Sequence, residues 1–142
     1  MSDFGKLLTA VITPFDNNGV LNTDTLWRLC KKLVHEKSDG LVLSGTTGES
    51  PNLTKEDRKI IYSTAKDSVG DKAKIIAGTG TYSTKESIEY TKMANDIGVD
   101  GIMIVTPYYS KPSQFGILQH FEQISENTCL LYTSPSPRDT LL

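Results

Sequence analysis

Residues 40–50 read Gly40-Leu41-Val42-Leu43-Ser44-Gly45-Thr46-Thr47-Gly48-Glu49-Ser50. The first half is an unbroken apolar run of strand length, and it stops at two glycines with two threonine hydroxyls between them. Glycine admits backbone conformations closed to other residues, so the chain can turn tightly there and point peptide N–H groups into open space. A strand that ends in such a turn and leads to a helix start suits a small anion, because free amides and the helix dipole both favour negative charge. The same pattern is also that of an ordinary strand-to-helix turn.

The pattern recurs outward from this stretch. Upstream, residues 6–13 carry Leu7, Leu8, Ala10, Val11 and Ile12, enough for a first buried strand closed by Thr13-Pro14. After the turn residues Asp16-Asn17-Asn18-Gly19, a helix is expected over residues 23–37, with Leu26, Leu29, Cys30, Leu33 and Val34 on one face and Trp27 packing beside it. Downstream, Thr54 caps a helix with an acidic first turn and Gly70 ends it. Residues 74–78 form a third strand, ending in Gly78-Thr79-Gly80-Thr81. Ser83-Thr84-Lys85-Glu86 reads as a capping box for a helix that Gly98 terminates. A fourth strand over residues 101–105 runs into Thr106-Pro107-Tyr108-Tyr109-Ser110-Lys111-Pro112, and Ser113 caps a helix bearing Phe115, Leu118, Phe121 and Ile124. Cys129-Leu130-Leu131-Tyr132 begins a fifth strand.

Strand and helix thus alternate at a period of roughly 30 residues, the length of one βα unit. Continuously apolar strands imply a parallel sheet covered on both faces. Polar and small residues gather where each strand ends, which places the chemistry at the C-terminal ends of a doubly wound sheet or a barrel. No Gly-x-Gly-x-x-Gly or P-loop lysine pattern supports the nucleotide-binding alternative. The expected fold class is therefore α/β, a (β/α)8 TIM barrel truncated to its first four or five units, since a full barrel takes about 250 residues.

Composition narrows the function classes. Fifteen Lys and Arg stand against 17 Asp and Glu in 142 residues, a net charge of −2 that offers no basic footprint for nucleic acid. Nothing approaches the roughly 20 apolar residues of a membrane span, and the N-terminus has no export-signal pattern. Cys30 and Cys129 are read as reduced, mostly buried thiols of a cytoplasmic protein. His35 and His120 lack metal-ligand spacing and are read as surface or packing residues. No metal or cofactor is implied.

Three motifs, Gly45-Thr46-Thr47-Gly48-Glu49-Ser50, Ile76-Ala77-Gly78-Thr79-Gly80 and Val105-Thr106-Pro107-Tyr108-Tyr109-Ser110-Lys111-Pro112-Ser113-Gln114, stand in the order and spacing of the dihydrodipicolinate synthase family. The resemblance runs from about residue 7 to residue 124. It implies a (β/α)8 lyase that binds pyruvate as a Schiff base on lysine and condenses it with aspartate 4-semialdehyde on the way to diaminopimelate and lysine. The Thr-Thr pair resembles the synthases more than their sialic-acid lyase relatives, which usually carry Ser-Thr. By that resemblance Thr46 relays protons between two tyrosines, Thr47 holds the pyruvate carboxylate, and Tyr109 reaches into a neighbouring subunit's site within a homotetramer. Tyr132 matches the second relay tyrosine and Arg138 the substrate-guiding arginine.

Ser50, Glu86 and Tyr108 match the family's lysine feedback site. Lys55 and Arg58 stand where lysine-sensitive bacterial members often have histidines, and Tyr82 replaces an asparagine. Two added cations repel a lysine ligand, so weak lysine inhibition is expected. Beyond about residue 127 the family pattern fails. Residues 1–128 are therefore read as an N-terminal half-barrel and residues 129–142 as an aberrant Ser/Pro-rich tail, truncated or chimeric. The family's Schiff-base lysine lies on the sixth strand, which this chain does not reach, so the isolated chain is expected to be inactive. Two alternatives stay open: another pyruvate aldolase or lyase on the same scaffold, and a non-catalytic half-barrel module.

Overall fold

Four helix starts illustrate how local chemistry sets the architecture. Asn22 accepts a hydrogen bond from the Thr25 N–H at 2.9 Å and opens α1 (Thr23–His35). Thr54 and Asp57 exchange reciprocal bonds at the start of α2 (Lys55–Val69), satisfying two otherwise orphaned amides. Ser83 caps α3 (Thr84–Ile97) and Ser113 caps α4 (Gln114–Ser125). Ser83 supplies half of the expected capping box: its own N–H donates to Thr81 Oγ1 and not to Glu86. Gly98 ends α3 at φ +84°, a left-handed conformation that glycine adopts freely.

The computed structural model describes residues 3–133, with backbone alone for residues 131–133. Between the helices lie β1 (Leu8–Ala10), β2 (Gly40–Leu43), β3 (Lys74–Gly78), β4 (Gly101–Met103) and β5 (Leu131–Thr133). They form one parallel sheet in the order β1-β2-β3-β4-β5. The register places Leu41 against Ile75, Ala77 against Ile102 and Ile102 against Tyr132. Each strand is joined to the next through a helix, the arrangement of consecutive units in a (β/α)8 barrel. The fifth strand thus falls inside the stretch read from sequence as a tail.

Several strands are shorter than the apolar runs suggested. Flanking residues of β1 attach by single bonds instead of ladder pairs: Leu7 O accepts from Asp39 and Gly40, and the Val11 N–H donates to Val42 O. Thr79 N–H makes the last rung to Met103 O, where β4 ends short of Val105. Thr128 Oγ1 takes the Leu130 N–H, so β5 starts at Leu131 and not at Cys129.

The core lies on one side of the sheet. Val11, Leu41, Leu43, Ile75, Ala77, Ile102 and Ile104 point towards the helices and pack with Leu26, Cys30, Ile61, Ala65, Ala94 and Ile124. Burying each large aliphatic side chain this way contributes roughly 1.5–3 kcal/mol. The opposite face corrects the expectation of full cover. Leu8 and Ile12 on that face are 41% and 57% exposed, and Val42 and Met103 are half-buried. The apolar run along β1 suits a strand buried on both sides, but here helices cover one side only. Among the described residues, no helix is long and apolar enough to cross a membrane.

Candidate functional site

Because the five strands are parallel, every strand-end loop opens on the same rim. Thr46 and Thr47 follow β2, Thr79 and Thr81 follow β3, and Tyr108 and Tyr109 follow β4. A cavity of about 270 Å³ opens there, bounded by Ser44, Thr46, Ser50, Gly78, Val105 and Tyr108.

The β2 loop forms a tight arch. Gly48 and Ser50 N–H both donate to Gly45 O, Glu49 N–H donates to Thr46 O, and Thr13 Oγ1 fixes Gly48 O at 2.7 Å. Ser44 and Glu49 bracket the arch at φ +54° and +57°, conformations that side-chain-bearing residues adopt at a cost of about 1–2 kcal/mol each. At its crown Thr46 and Thr47 are exposed, and no described residue accepts from their N–H groups or engages their hydroxyls. Four donors within two residues are thus left without a partner among the described residues; Thr46 lines the cavity, and Thr47 is not among its lining residues. The expected helix dipole does not contribute. A three-residue 3₁₀ turn, Ser50–Asn52, follows the arch, and α2 begins beyond it with the Asp57 amide engaged by its own cap.

Close approach of the strand ends forms the cavity floor. A methyl group on Gly78 would run into the Ser44 carbonyl oxygen, and one on Gly80 would lie 2.5 Å from Val105 N. Only glycine lets these backbones meet so closely.

Arg58 lies beneath this floor, and its position was not legible from the sequence. It is 1% exposed, donating through Nη1 to Gly78 O at 2.7 Å and through Nη2 to Ser50 O and Ser50 Oγ at 2.8 Å each. Its guanidinium carbon stands 4.6 Å from the Tyr90 ring centre, a cation–π contact. Tyr62 OH shares Gly78 O at 2.9 Å, and burial pushes the Tyr62 phenol up despite the nearby guanidinium. Lys55 projects to the surface 3.6 Å from Glu89. Of the two cations expected to repel a lysine ligand, Arg58 stands beside Ser50 and Tyr108 but is bonded to backbone oxygens and to Ser50 itself, while Lys55 is paired with Glu89 at the surface.

The tyrosines behind β4 separate. Tyr108 is half-buried, meets Tyr82 edge to face at 5.5 Å and lines the cavity with Thr46. Desolvation raises its phenol, opposed by Arg58 and reinforced by Tyr82, Glu86 and Tyr90. Tyr109 instead stands out from the loop at φ +68° and is 96% exposed. Ser50 bonds to Arg58, and Tyr108 lies within reach of the charges of both Arg58 and Glu86, whereas Thr46 and Tyr109 do not share one cavity wall. Tyr132 falls on β5 with its side chain outside the described residues, and Arg138 lies outside them altogether. Among the described residues no group of three or more His, Cys, Asp or Glu side chains could hold a metal ion.

Comparison with known proteins adds a direct match. The dihydrodipicolinate synthetase family model matches residues 3–140. The 4-hydroxy-tetrahydrodipicolinate synthase of Desulforudis audaxviator is 52% identical over 128 residues, which are 90% of this chain and 44% of that protein. Among solved structures, a dihydrodipicolinate synthase from Bacillus anthracis superposes with a TM-score of 0.89 at 44% identity, covering 93% of this chain and 45% of that one. The Cyanidioschyzon merolae enzyme, solved with lysine bound, gives 0.88 at 39% identity over 91% and 44%. The chain spans less than half the length of each of these relatives. The fold is the corresponding part of a (β/α)8 barrel.

Proposed function

Since the chain belongs to the dihydrodipicolinate synthetase family, we propose that its strand-end cavity is part of the pyruvate site of a 4-hydroxy-tetrahydrodipicolinate synthase. The observation that carries this reading is the exposed pair Thr46 and Thr47, whose four donors no described residue engages. Two backbone N–H groups and two hydroxyls match the acceptor-only chemistry of a carboxylate, and charge-assisted bonds to such an anion are roughly twice as strong as neutral ones. Thr47 and the adjacent amides hold the pyruvate carboxylate. That leaves the ketone carbon directed along the cavity, towards the amine that forms the imine. This lysine is assigned to the portion of the relatives that the chain does not span, so the isolated chain is inactive.

After imine formation the methyl carbon must lose a proton and attack aspartate 4-semialdehyde. A phenol with an ordinary pKa near 10 is a poor base alone at neutral pH. A hydrogen-bonded relay from Tyr109 through Thr46 to Tyr132 moves the proton without leaving a bare phenolate, and a positioned acid–base group is worth roughly 100- to 10,000-fold in rate. The exposure of Tyr109 supports its assignment to a partner subunit's site in a homotetramer. Arg138 is assigned to the aldehyde substrate. Lysine inhibits the completed enzyme weakly, because Ser50 is already occupied by Arg58.

A chimera tests the reading. Residues 1–128 are joined to the remaining portion of the Desulforudis relative and assayed with pyruvate and either aspartate 4-semialdehyde or sugar aldehydes. Borohydride is expected to trap pyruvate on a lysine of the grafted half, with turnover of the semialdehyde, while the 142-residue chain alone traps none. Turnover of sugar aldehydes only would assign the scaffold to another pyruvate lyase, and absence of any trapped imine would refute pyruvate chemistry.

A further inference from the structure

Arg58 is fully buried, yet none of the ion pairs among the described residues includes it. Removing a guanidinium from water without a carboxylate partner is costly, so its position needs a return. Its bonds go to two segments far apart in sequence: Gly78 O at the end of β3, and Ser50 O and Oγ at the foot of the arch that carries Thr46 and Thr47. Ser50 in turn donates its N–H to Gly45 O, so the fork, Ser50 and Gly45 form a continuous strut under the arch.

We propose that Arg58 is a positioning residue for the carboxylate of a small 2-oxo acid. It holds the Thr46–Thr47 crown in its anion-accepting shape and touches no ligand itself. Two properties of the site support this. First, the arch is bracketed by the left-handed residues Ser44 and Glu49, and such strain persists only where surrounding contacts over-determine it. Thr13 supplies one such contact at Gly48, and the guanidinium fork supplies others at Ser50, beside Glu49, because its rigid plane presents separate nitrogens to β3 and to Ser50. Second, a buried positive charge below the crown raises the local potential at the donors, which favours a carboxylate over a neutral ketone. An ammonium group at the same place keeps the charge but lacks the fixed fork that serves both segments. The inference rests on the reading of the cavity as a pyruvate site.

The test uses the 142-residue chain labelled with ¹⁵N, following the Thr46 and Thr47 amide signals during titration with pyruvate and with acetone as the neutral control. In the unaltered chain, pyruvate is expected to shift both signals and acetone neither. Arg58→Lys is expected to weaken pyruvate binding about tenfold, equivalent to about 1.4 kcal/mol, and to displace both amide signals before any ligand is added. Arg58→Ala is expected to behave likewise, with methylguanidinium restoring affinity. Thr91→Val, which breaks the buried Thr79–Thr91 hydroxyl pair between the end of β3 and α3, serves as a control for general destabilisation. It is expected to lower the melting temperature and leave pyruvate affinity unchanged.

Should the Arg58 variants fail to fold, Ser50→Ala removes one acceptor of the fork. It is expected to weaken pyruvate about threefold, a partial loss consistent with one of three bonds. Unchanged affinity in folded Arg58→Lys, or in Ser50→Ala where that variant decides, overturns the role of Arg58 while leaving the pyruvate site intact. Failure of the unaltered chain to shift with pyruvate overturns both.

Discussion

Replacing Gly78 by alanine probes the convergence of the strand ends. The added methyl would lie 2.8 Å from the Ser44 carbonyl carbon and 3.0 Å from Leu43 O, and it would run into the Ser44 carbonyl oxygen, where 3.4–4 Å is ordinary contact. All three obstacles are backbone atoms of β2 and the residue after it, so no side-chain rotation relieves them. The strands must separate by more than half an ångström. Overpacking of that kind costs about 1–3 kcal/mol. Separation also stretches the Arg58 and Tyr62 bonds to Gly78 O, and a bond to a charged donor contributes about 1.5–3 kcal/mol.

Against this, alanine narrows the unfolded ensemble and returns about 0.4–1 kcal/mol. The net expectation is a loss of about 3 kcal/mol, which for a chain of this length is a fall in melting temperature of about 6–12 °C. Thermal unfolding followed by far-ultraviolet circular dichroism measures it. Gly19→Ala is the companion control. Gly19 sits at φ +77° with no atom near its missing methyl, so only the cost of a left-handed alanine applies, about 1 kcal/mol. A Gly78→Ala chain that melts within 2 °C of the parent, or above it, would refute the close approach of β2 and β3.

Other outcomes follow from individual side chains. Cys129 is exposed, whereas Cys30 is fully buried with its thiol pushed up to about 11. A thiol reagent at pH 8 should therefore label one cysteine rapidly and the second only on unfolding, and peptide mapping would show which; fast labelling of Cys30 contradicts its placement. His120 is buried with Nδ1 2.8 Å from Thr84 Oγ1, and desolvation holds its imidazole below the usual histidine range. Between the lowered folded pKa and the ordinary value near 6.5, the unfolded chain binds more protons than the folded one, so stability falls as pH drops below about 6.5. Urea midpoints from pH 8 to pH 5 should show that decline, and His120→Gln should flatten it. Thr54→Ala removes the reciprocal cap of α2 and is expected to cost about 1 kcal/mol by urea denaturation, whereas Thr23→Ala, on the exposed start of α1, is expected to cost little.

What could be read from residues alone follows the range of the interactions concerned. Caps and terminators act within a few residues, so Thr54, Ser83, Gly98 and Ser113 announced their helices correctly. The strands were legible as apolar runs, but their ends depend on where a partner's ladder stops, which is why β1 and β4 came out shorter. Arg58 illustrates the limit. Taken alone, it is a charged residue in a helix's second turn. Its meaning comes from Gly78, twenty positions away, and from a floor that exists only once β2 and β3 touch. Cys129 likewise appeared as a buried thiol because it adjoins an apolar run, but the chain turns at Thr128 and leaves it exposed. Within the Tyr108-Tyr109 pair, only the resemblance separated their roles, and the residue types alone do not say which ring faces inward. That depends on the left-handed backbone of Tyr109, which sends one phenol outward while Tyr108 lines the cavity.

A crystal of the chain soaked in pyruvate shows whether the Thr46–Thr47 crown holds a carboxylate. The carboxylate oxygens are expected about 3 Å from the Thr46 and Thr47 N–H groups, with the ketone directed into the cavity beside Tyr108. Pyruvate seated elsewhere, for example in the lysine-lined cleft between the ends of α1 and α2 near Lys31 and Lys72, with the Thr46–Thr47 crown empty, would contradict that expectation.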